Sequence, residues 1–279
     1  MGELKILVCT HSQPVRLNNP ELFPIHVGKK LSNLDLGCQG DDTGDNISEK
    51  NPHYCELTGL YWAWKNLSDY DYIGLCHYRR LFDFTRNSGL NSIFVVDSID
   101  ENEYKLNKDQ ILSILESYDI ILPKPEVYPY NLMTDYCVCH CSPDYRVLKD
   151  VVNDLYPEYN DSFRHIMEYN NKLSHYNIFI SKRDLFETYC EWVFNILGEA
   201  EKRISISNYD KVQGRIWGYM SERLLNVFVH HHSMRVKYLP ILFIGDNTVN
   251  MNVSTFRRIE CGITGFLLRL REKRIRRIK

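Results

Sequence analysis

Nowhere does this chain reach the run of about 18 uninterrupted apolar residues that a bilayer-spanning helix requires. Its opening, Met1 to Thr10, holds one strand-length apolar run with neither a long hydrophobic core nor a small-residue cleavage site, so neither secretion nor a membrane span is expected. The cytoplasm is the expected compartment. Net charge is scarce too: 34 Lys and Arg nearly balance 36 Asp and Glu, leaving −2 and a pI near 6.6. Nucleic acid demands a strong positive field and is not expected as a partner, so any anion site has to be local. The nine cysteines are odd in number and irregular in spacing, several inside apolar runs, which is a pattern of reduced thiols and not of a disulfide framework. Internal repeats and low-complexity segments are missing as well, which leaves a single mixed domain as the economical reading.

What is present is core-forming material. With 44% apolar and 13% aromatic content, 279 residues can bury one substantial core or two small ones. Leu4 to Cys9 is a short β-rich run ended by Thr10-His11-Ser12. Residues 32 to 50, rich in Gly, Asp, Asn and Ser, supply turns and no core, and predict a mobile loop. Asn51-Pro52 offers an N-cap with proline at the first helical position, and Tyr54, Leu57, Leu60, Tyr61 and Trp64 follow at helical spacing. Tyr70 to Cys76 predicts a second strand. Asn107 caps a helix carrying Ile111, Leu112 and Leu115, which leads into a third strand from Asp119 to Leu122, stopped by Pro123. Further helices are predicted from Ser142-Pro143 through Leu155, over Lys182 to Leu197 and over Val212 to Val229. Strands are predicted at His175 to Ser181, Val236 to Leu239 and Leu242 to Ile244. This alternation implies an α/β fold with a mixed central sheet flanked by helices, in one domain over residues 1–255 with a basic tail over 256–279.

In open α/β sheets ligands collect beyond the carboxyl ends of strands, which privileges the residues after Cys9, Cys76 and Leu122. Cys76 is followed by His77-Tyr78-Arg79-Arg80. A histidine, a phenol and two guanidiniums at a strand end make an anion site, because Arg offers paired donors matched to phosphate oxygens. Surface ion pairs of Arg79 and Arg80 with Asp83 or Asp71 are the alternative reading of the same residues.

The run NPHYCELTGLYWAWKNLSDYDYIGLCHYRRLFDF stands with the opening KILVCTH, the later HYNIFISKRDLFETYCEWVF and the segment QGRIWGYMSERLLNVFV. Together they resemble the bacterial capsular and exopolysaccharide biosynthesis glycosyltransferases once catalogued only as a domain of unknown function. The likeness spans most of residues 4 to 245. It implies a GT-A-like, Rossmann-like nucleotide-sugar-binding domain. The implied reaction is hexosyl transfer from a UDP-sugar donor to a hydroxyl of a growing capsular, exopolysaccharide or O-antigen glycan. The implied acceptor is a lipid-linked or free oligosaccharide. Some members of that family resemble galactofuranosyltransferases, which makes galactofuranose one candidate sugar.

Most GT-A enzymes end the strand corresponding to Tyr72 to Cys76 in an Asp-x-Asp motif that holds a divalent cation on the nucleotide diphosphate. Here His77-Tyr78-Arg79 stands in its place. Fixed cations are therefore expected to stabilise the leaving diphosphate without a metal or other cofactor, and Asp83 is the fallback ligand. The resemblance puts Arg79 and Arg80 against the diphosphate, His77 near the sugar or phosphate with Tyr78 beside it, and Thr10 and His11 at the base and ribose. Asn177 is expected against the sugar or as a structural strand-edge residue, Glu56 against the sugar or an Arg, and Arg215 joins the donor-binding set. An inverting transfer also needs a general base for the acceptor proton. Glu222 is the first candidate and Asp210 the second. Their structural alternatives are pairing of Glu222 with Arg223, Arg215 or Arg203 on a solvated helix face, and helix capping by Asp210. A sugar-phosphate transferase, a nucleotide-sugar hydrolase and a non-catalytic carbohydrate-binding protein are the competing classes.

Other motifs carry less. Cys137-x-Cys139-His140-Cys141 lacks the second ligand pair of a zinc site and reads as incidental thiols, and the tract His230-His231-His232 reads as linker or surface. Trp62 and Trp64 with Tyr61 read as core. From Gly262 to Lys279, Phe266, Leu267, Leu268, Leu270, Ile275 and Ile278 interleave with seven Arg and Lys. That is the pattern of a basic amphipathic helix on an anionic membrane surface, peripheral at the inner face of the plasma membrane, or of a solvated basic terminus.

Overall fold

The computed structural model describes residues 2–86, 92–99, 104–245 and 255–277. Along the chain lie β1 (Leu4–Thr10), β2 (Leu22–His26), β3 (Gln39–Gly40), α1 (Asn51–Tyr54), α2 (Leu57–Asn66), β4 (Tyr72–His77), β5 (Arg80–Phe82), β6 (Ile93–Val96), α3 (Lys108–Ser117) and β7 (Ile120–Pro123). There follow β8 (Glu126–Val127), α4 (Leu132–Cys139), α5 (Ser142–Leu155), α6 (Asn160–Tyr169), β9 (Lys172–Leu173), β10 (Phe179–Lys182) and α7 (Arg183–Arg203). The last elements are α8 (Ile216–His231), β11 (Val236–Leu239), β12 (Ile241–Ile244) and α9 (Thr255–Arg276). Ile278 and Lys279 of the predicted tail lie outside the described residues. The chain forms two compact units: residues 1–124, 176–190 and 234–251, then residues 125–175, 191–233 and 252–279, the second of which takes in the segment read as a tail.

The first unit is built on a mixed sheet with the path β11-β7-β10-β4-β1-β2-β3, and β5, β12 and β6 branch from β4. β1 runs parallel to both β2 and β4, while β10 enters antiparallel between β4 and β7. A central strand covered on both faces has to be apolar along its length, and Leu4, Ile6, Leu7, Val8 and Cys9 of β1 are all buried. Alternation sends Ile6 and Val8 to the face where α3 lays Ile111 and Leu115, and Leu7 and Cys9 to the face of α2. Gly59 lets α2 approach: a Cβ there would meet Val27 Cγ1 at 2.8 Å and Cys9 Sγ at 3.2 Å. Gly74 does the same for β10, since its Cβ would lie 2.8 Å from Ile180 Cγ1 and 3.0 Å from the Phe179 carbonyl. α3 begins as its sequence predicts, with Asn107 Oδ1 accepting from the Gln110 N–H at 3.1 Å.

Three predicted elements differ. The helix expected from Asn51 through Trp64 breaks at Cys55, where φ is 53°, into α1 and α2. Asn51 lies inside α1 and does not cap it; its Nδ2 donates to the Cys55 carbonyl at 2.8 Å and to Thr58 Oγ1 at 3.1 Å. The strand expected from His175 begins only at Phe179, because Tyr176 (φ 72°) and Asn177 (φ 53°) are left-handed. Residues 32 to 50 are organised by one carboxylate: Asp41 is fully buried and accepts from the backbone N–H of Gly28 (2.9 Å) and Lys29 (3.0 Å) and from the Ser48 hydroxyl. A buried carboxylate needs such donors, and the loop closes around it.

The second unit is helical apart from the β8-β9 pair. α8 is buried on most sides, through Trp217, Met220, Leu224, Leu225, Val227 and Phe228 among others. The histidine tract is packing material and not a surface linker: His231 stacks on Tyr159 at 3.6 Å, and His230 stacks on His165 at 4.2 Å while its Nδ1 meets Ser162 Oγ at 3.0 Å. Of the aromatic trio on α2 in the first unit, Trp62 is buried as expected, whereas Tyr61 and Trp64 are half-buried. All nine cysteines are free thiols.

Candidate active site

β1 and β4 run parallel with Cys9 level with His77, so their carboxyl ends open at one edge of the sheet. The Tyr78 N–H extends that ladder by donating to the Cys9 carbonyl at 3.0 Å, and His77 pairs with Arg80 across a hairpin whose tip is Tyr78-Arg79. At the tip Arg79 is exposed, whereas Tyr78 is partly buried and packs against the core. Tyr78 Oη meets Ser12 Oγ at 3.1 Å, and its ring stands edge-on to His11 at 5.7 Å. Thr10 is fully buried and its Oγ1 donates to the Gln13 carbonyl at 2.5 Å, so it shapes the loop after β1 and does not reach outward.

Arg79 is exposed, with its guanidinium 5.5 Å from the Tyr78 ring. Arg80 is half-buried between the rings of Tyr176 (4.6 Å) and Phe243 (5.0 Å), and its Nε is buried without a hydrogen-bond partner. Aromatic faces attract a guanidinium and hold it in place, yet they offer no acceptor in its plane. The ion pairs considered from sequence do not form. Asp71 Oδ2 accepts from the Glu3 N–H at 2.7 Å, and Asp83 lies 3.6 Å from Arg86. Asp83 Oδ1 also accepts from the Thr85 N–H (2.9 Å), the Thr85 hydroxyl (2.8 Å) and the Arg86 N–H (3.1 Å), which turns that carboxylate into its own loop. The turn His77 to Arg80 thus presents imidazole, phenol and two guanidiniums. That set offers no carboxylate for a hard cation such as Mg²⁺.

Behind the arginines the backbone is held in costly conformations. Left-handed φ at a non-glycine residue costs on the order of 1–3 kcal/mol and persists only where its surroundings over-determine it. Tyr176 and Asn177 are two such residues in succession. The Tyr176 carbonyl accepts from His77 Nε2 at 2.8 Å, which fixes the proton on that nitrogen, and the Tyr176 ring covers Arg80. Asn177, 1% exposed, donates from Nδ2 to Glu56 Oε1 at 2.6 Å. Glu56 follows the left-handed Cys55, and its carbonyl accepts from Cys9 Sγ at 3.8 Å. Glu56 therefore holds Asn177, and not an arginine as one of its two expected roles required. Tyr176 and Phe243 escaped sequence reasoning, since no local pattern marks a tyrosine that turns left-handed.

The second unit carries the remaining candidates. Glu222 sits on α8 at 14% side-chain exposure, with Oε2 3.2 Å from Arg223 Nη1 and 3.7 Å from His175 Nδ1. Arg223, 4% exposed, also binds Asp135 Oδ2 at 2.8 Å. Its expected pairing with Glu222 is thus real but lies inside the unit, not on a solvated face. Tyr128 Oη meets His175 Nε2 at 2.5 Å, which completes a chain Tyr128, His175, Glu222, Arg223, Asp135. His140 stacks on Tyr219 at 4.1 Å and on Tyr136 at 4.9 Å. Burial, and then the Arg223 guanidinium, push His140 down from the usual 6.5 to about 4. Asp210 is exposed and its Oδ1 accepts from the N–H groups of Val212 (2.8 Å) and Gln213 (2.7 Å), which ties the turn ahead of α8; α8 itself starts after Arg215 without a side-chain cap. Arg215 is exposed, 5.5 Å from the Tyr219 ring. Asp135, Tyr128 and His175 were missed because a single carboxylate, phenol or imidazole has no sequence signature.

A mixed α/β sheet flanked by helices, with its polar cluster at the carboxyl ends of β1 and β4, defines a GT-A-like fold. The chain belongs to the family described as domain of unknown function DUF4422, which residues 5–233 match. Its structure is similar to that of a chain described as the WbbM bifunctional glycosyltransferase in its apo form. The two are 33% identical with a TM-score of 0.78, over 90% of this chain and 47% of that one. This chain accordingly spans about half the length of that protein. No curated protein matches.

Proposed function

We propose that the protein is a glycosyltransferase of bacterial surface-polysaccharide synthesis, moving a hexose from a UDP-sugar to a hydroxyl of a growing glycan on a lipid-linked or oligosaccharide acceptor. Galactofuranose is the sugar to test first. The family membership and the similarity to a bifunctional glycosyltransferase support the class of reaction. The observation that carries the reading is Arg80, clamped between two aromatic rings beyond β4 with a buried Nε that has no partner. A cation held ready for an anion is what a departing diphosphate needs, because its negative charge grows as the bond to the anomeric carbon breaks.

In this reading Arg79 and Arg80 bind the diphosphate, and His11 and Tyr78 border the nucleoside. The transfer is inverting and independent of a metal ion. The acceptor oxygen bonds to the anomeric carbon, the carbon–diphosphate bond breaks, and the hydroxyl proton passes to Glu222. Thermal-shift screening against nucleotides and nucleotide sugars, followed by product analysis with a stabilising donor, tests it. The expected result is stabilisation by UDP or a UDP-sugar and a glycoside product that forms in EDTA. A free sugar or a phosphosugar as product would assign a hydrolase or a sugar-phosphate transferase. Loss of turnover in EDTA with recovery in Mn²⁺ or Mg²⁺ would overturn the metal-independent step.

A further inference from the structure

α9 has two faces with different fates. On one, Cys261 is buried with Sγ donating to the Val127 carbonyl at 3.4 Å, and Thr264 Oγ1 donates to the Pro129 carbonyl at 3.1 Å. Asn171 Nδ2 donates to the Cys261 carbonyl at 2.8 Å, and Glu272, 9% exposed, meets His165 Nδ1 at 2.9 Å and Arg276 at 2.8 Å. These contacts recur at helical spacing and clamp the helix along its length. The other face is bare. Phe256, Ile259, Ile263, Phe266, Leu267 and Leu270 are exposed by 47% to 80%, and they are six of the thirteen large apolar side chains that stand exposed among the described residues. At 3.6 residues per turn they form a single stripe opposite the docked side.

Charge frames that stripe. Arg269 and Arg271 lie on either side of it, and Lys273, Arg274 and Arg277 continue beyond Leu270, all exposed. Between Phe256 and Arg277 the acidic residues are two: Glu260, paired with Arg257 at 3.0 Å, and Glu272, which faces inward and is already paired. We propose that this face lays α9 flat on an anionic lipid surface, with the apolar stripe entering the headgroup boundary and the flanking cations meeting lipid phosphates. Charge complementarity selects this occupant. Positions 256, 259, 263, 266 and 270 also have the spacing of a coiled-coil seam, but a second copy would set Arg269 and Arg274 against like charges at the flanking positions. A bilayer crossing is a different matter: among the described residues no helix is long and apolar enough for it. The tertiary structure also redraws the amphipathic pattern. Leu268 and Ile275 fall on the docked side, while Phe256, Ile259 and Ile263 precede the Gly262 to Lys279 segment or its apolar set.

Vesicle binding is read without turnover, so its outcome does not depend on the transfer reaction. Full-length protein is sedimented with vesicles of phosphatidylcholine alone and with vesicles that are about one-third phosphatidylglycerol. Binding to the anionic vesicles is expected to be roughly tenfold or more tighter than to the neutral ones. The double variants Phe266→Ser/Leu270→Ser and Arg269→Glu/Arg271→Glu should each weaken anionic binding by roughly tenfold or more, with unchanged melting temperatures because all four side chains are exposed. Equal binding to both vesicle types, or anionic binding that neither variant alters, overturns the proposal. So does a dimer, seen by sedimentation equilibrium, that Phe266→Ser/Leu270→Ser dissolves in protein that does not bind vesicles.

Discussion

Asn177 Nδ2 donates to Glu56 Oε1 at 2.6 Å, joining residues 121 positions apart in the first unit. The contact closes a circuit of strained backbone. Glu56 follows the left-handed Cys55, and Asn177 is left-handed after a left-handed Tyr176 whose ring covers Arg80. Strain of this kind is retained where geometry matters more than stability. Replacing Asn177 with Asp sets two carboxylates against each other in a buried site. Stability at pH 7.5 should fall by roughly 1–3 kcal/mol and recover partly near pH 5, where one carboxyl of such a pair takes up a proton. Urea unfolding at the two pH values measures this, and equal stability to the native chain at both would show that the contact does not hold Asn177 in place.

Arg80 is the cation that the rings of Tyr176 and Phe243 hold. Arg80→Ala should weaken UDP or UDP-sugar binding by roughly 100-fold, and Arg80→Lys should recover little of it because an ammonium lacks the planar fork. Tyr176→Leu, which removes one of the two ring faces, should fall between. Isothermal titration against the nucleotide is the measurement, with melting temperature as the control for folding.

Glu222→Gln keeps the shape of the side chain and removes its basicity. Turnover should drop roughly 100-fold or more while the donor KM stays close to that of the native chain, as loss of a general base predicts. A variant that turns over at near the native rate assigns Glu222 to the Arg223 pair alone.

Arg223 lies between Asp135 and Glu222 at 4% exposure. Arg223→Ala strands buried carboxylates and should cost about 3–5 kcal/mol, whereas a triple change to Arg223→Met, Asp135→Asn and Glu222→Gln should cost far less, since nothing charged is then left unpaired. Chemical denaturation of both variants reads the difference directly.

His140, packed between Tyr219 and Tyr136, is held at about 4 by burial and by Arg223. Its folded value lies below its unfolded one, so as pH falls through 6.5 the unfolded chain takes the proton first. The contribution is whole above pH 6.5 and is lost progressively towards pH 4. Denaturation at pH 7.5 and at pH 4.5 should show the decline, and His140→Phe should flatten part of it.

Much of the frame was legible in the residues themselves. The apolar run of β1 implies a strand covered on both faces, Asn107 caps α3 as its side chain requires, and the strand-end run His77 to Arg80 marks the cationic cluster from type and position alone. These features depend on neighbours a few residues away, where periodicity and local hydrogen bonding decide. Tertiary structure decided what local rules cannot express. It turned Tyr176 and Asn177 left-handed, because Glu56, His77 and Arg80 hold them so, and it broke the predicted helix at Cys55. It buried Thr10, tied Asp210 into the turn before α8, and drew Glu222 into a network with His175 and Asp135. It also divided the apolar residues of α9 between a docked face and a bare one. Each of these outcomes rests on partners tens of residues distant, whose burial and charge outweigh any preference written in the adjacent chain.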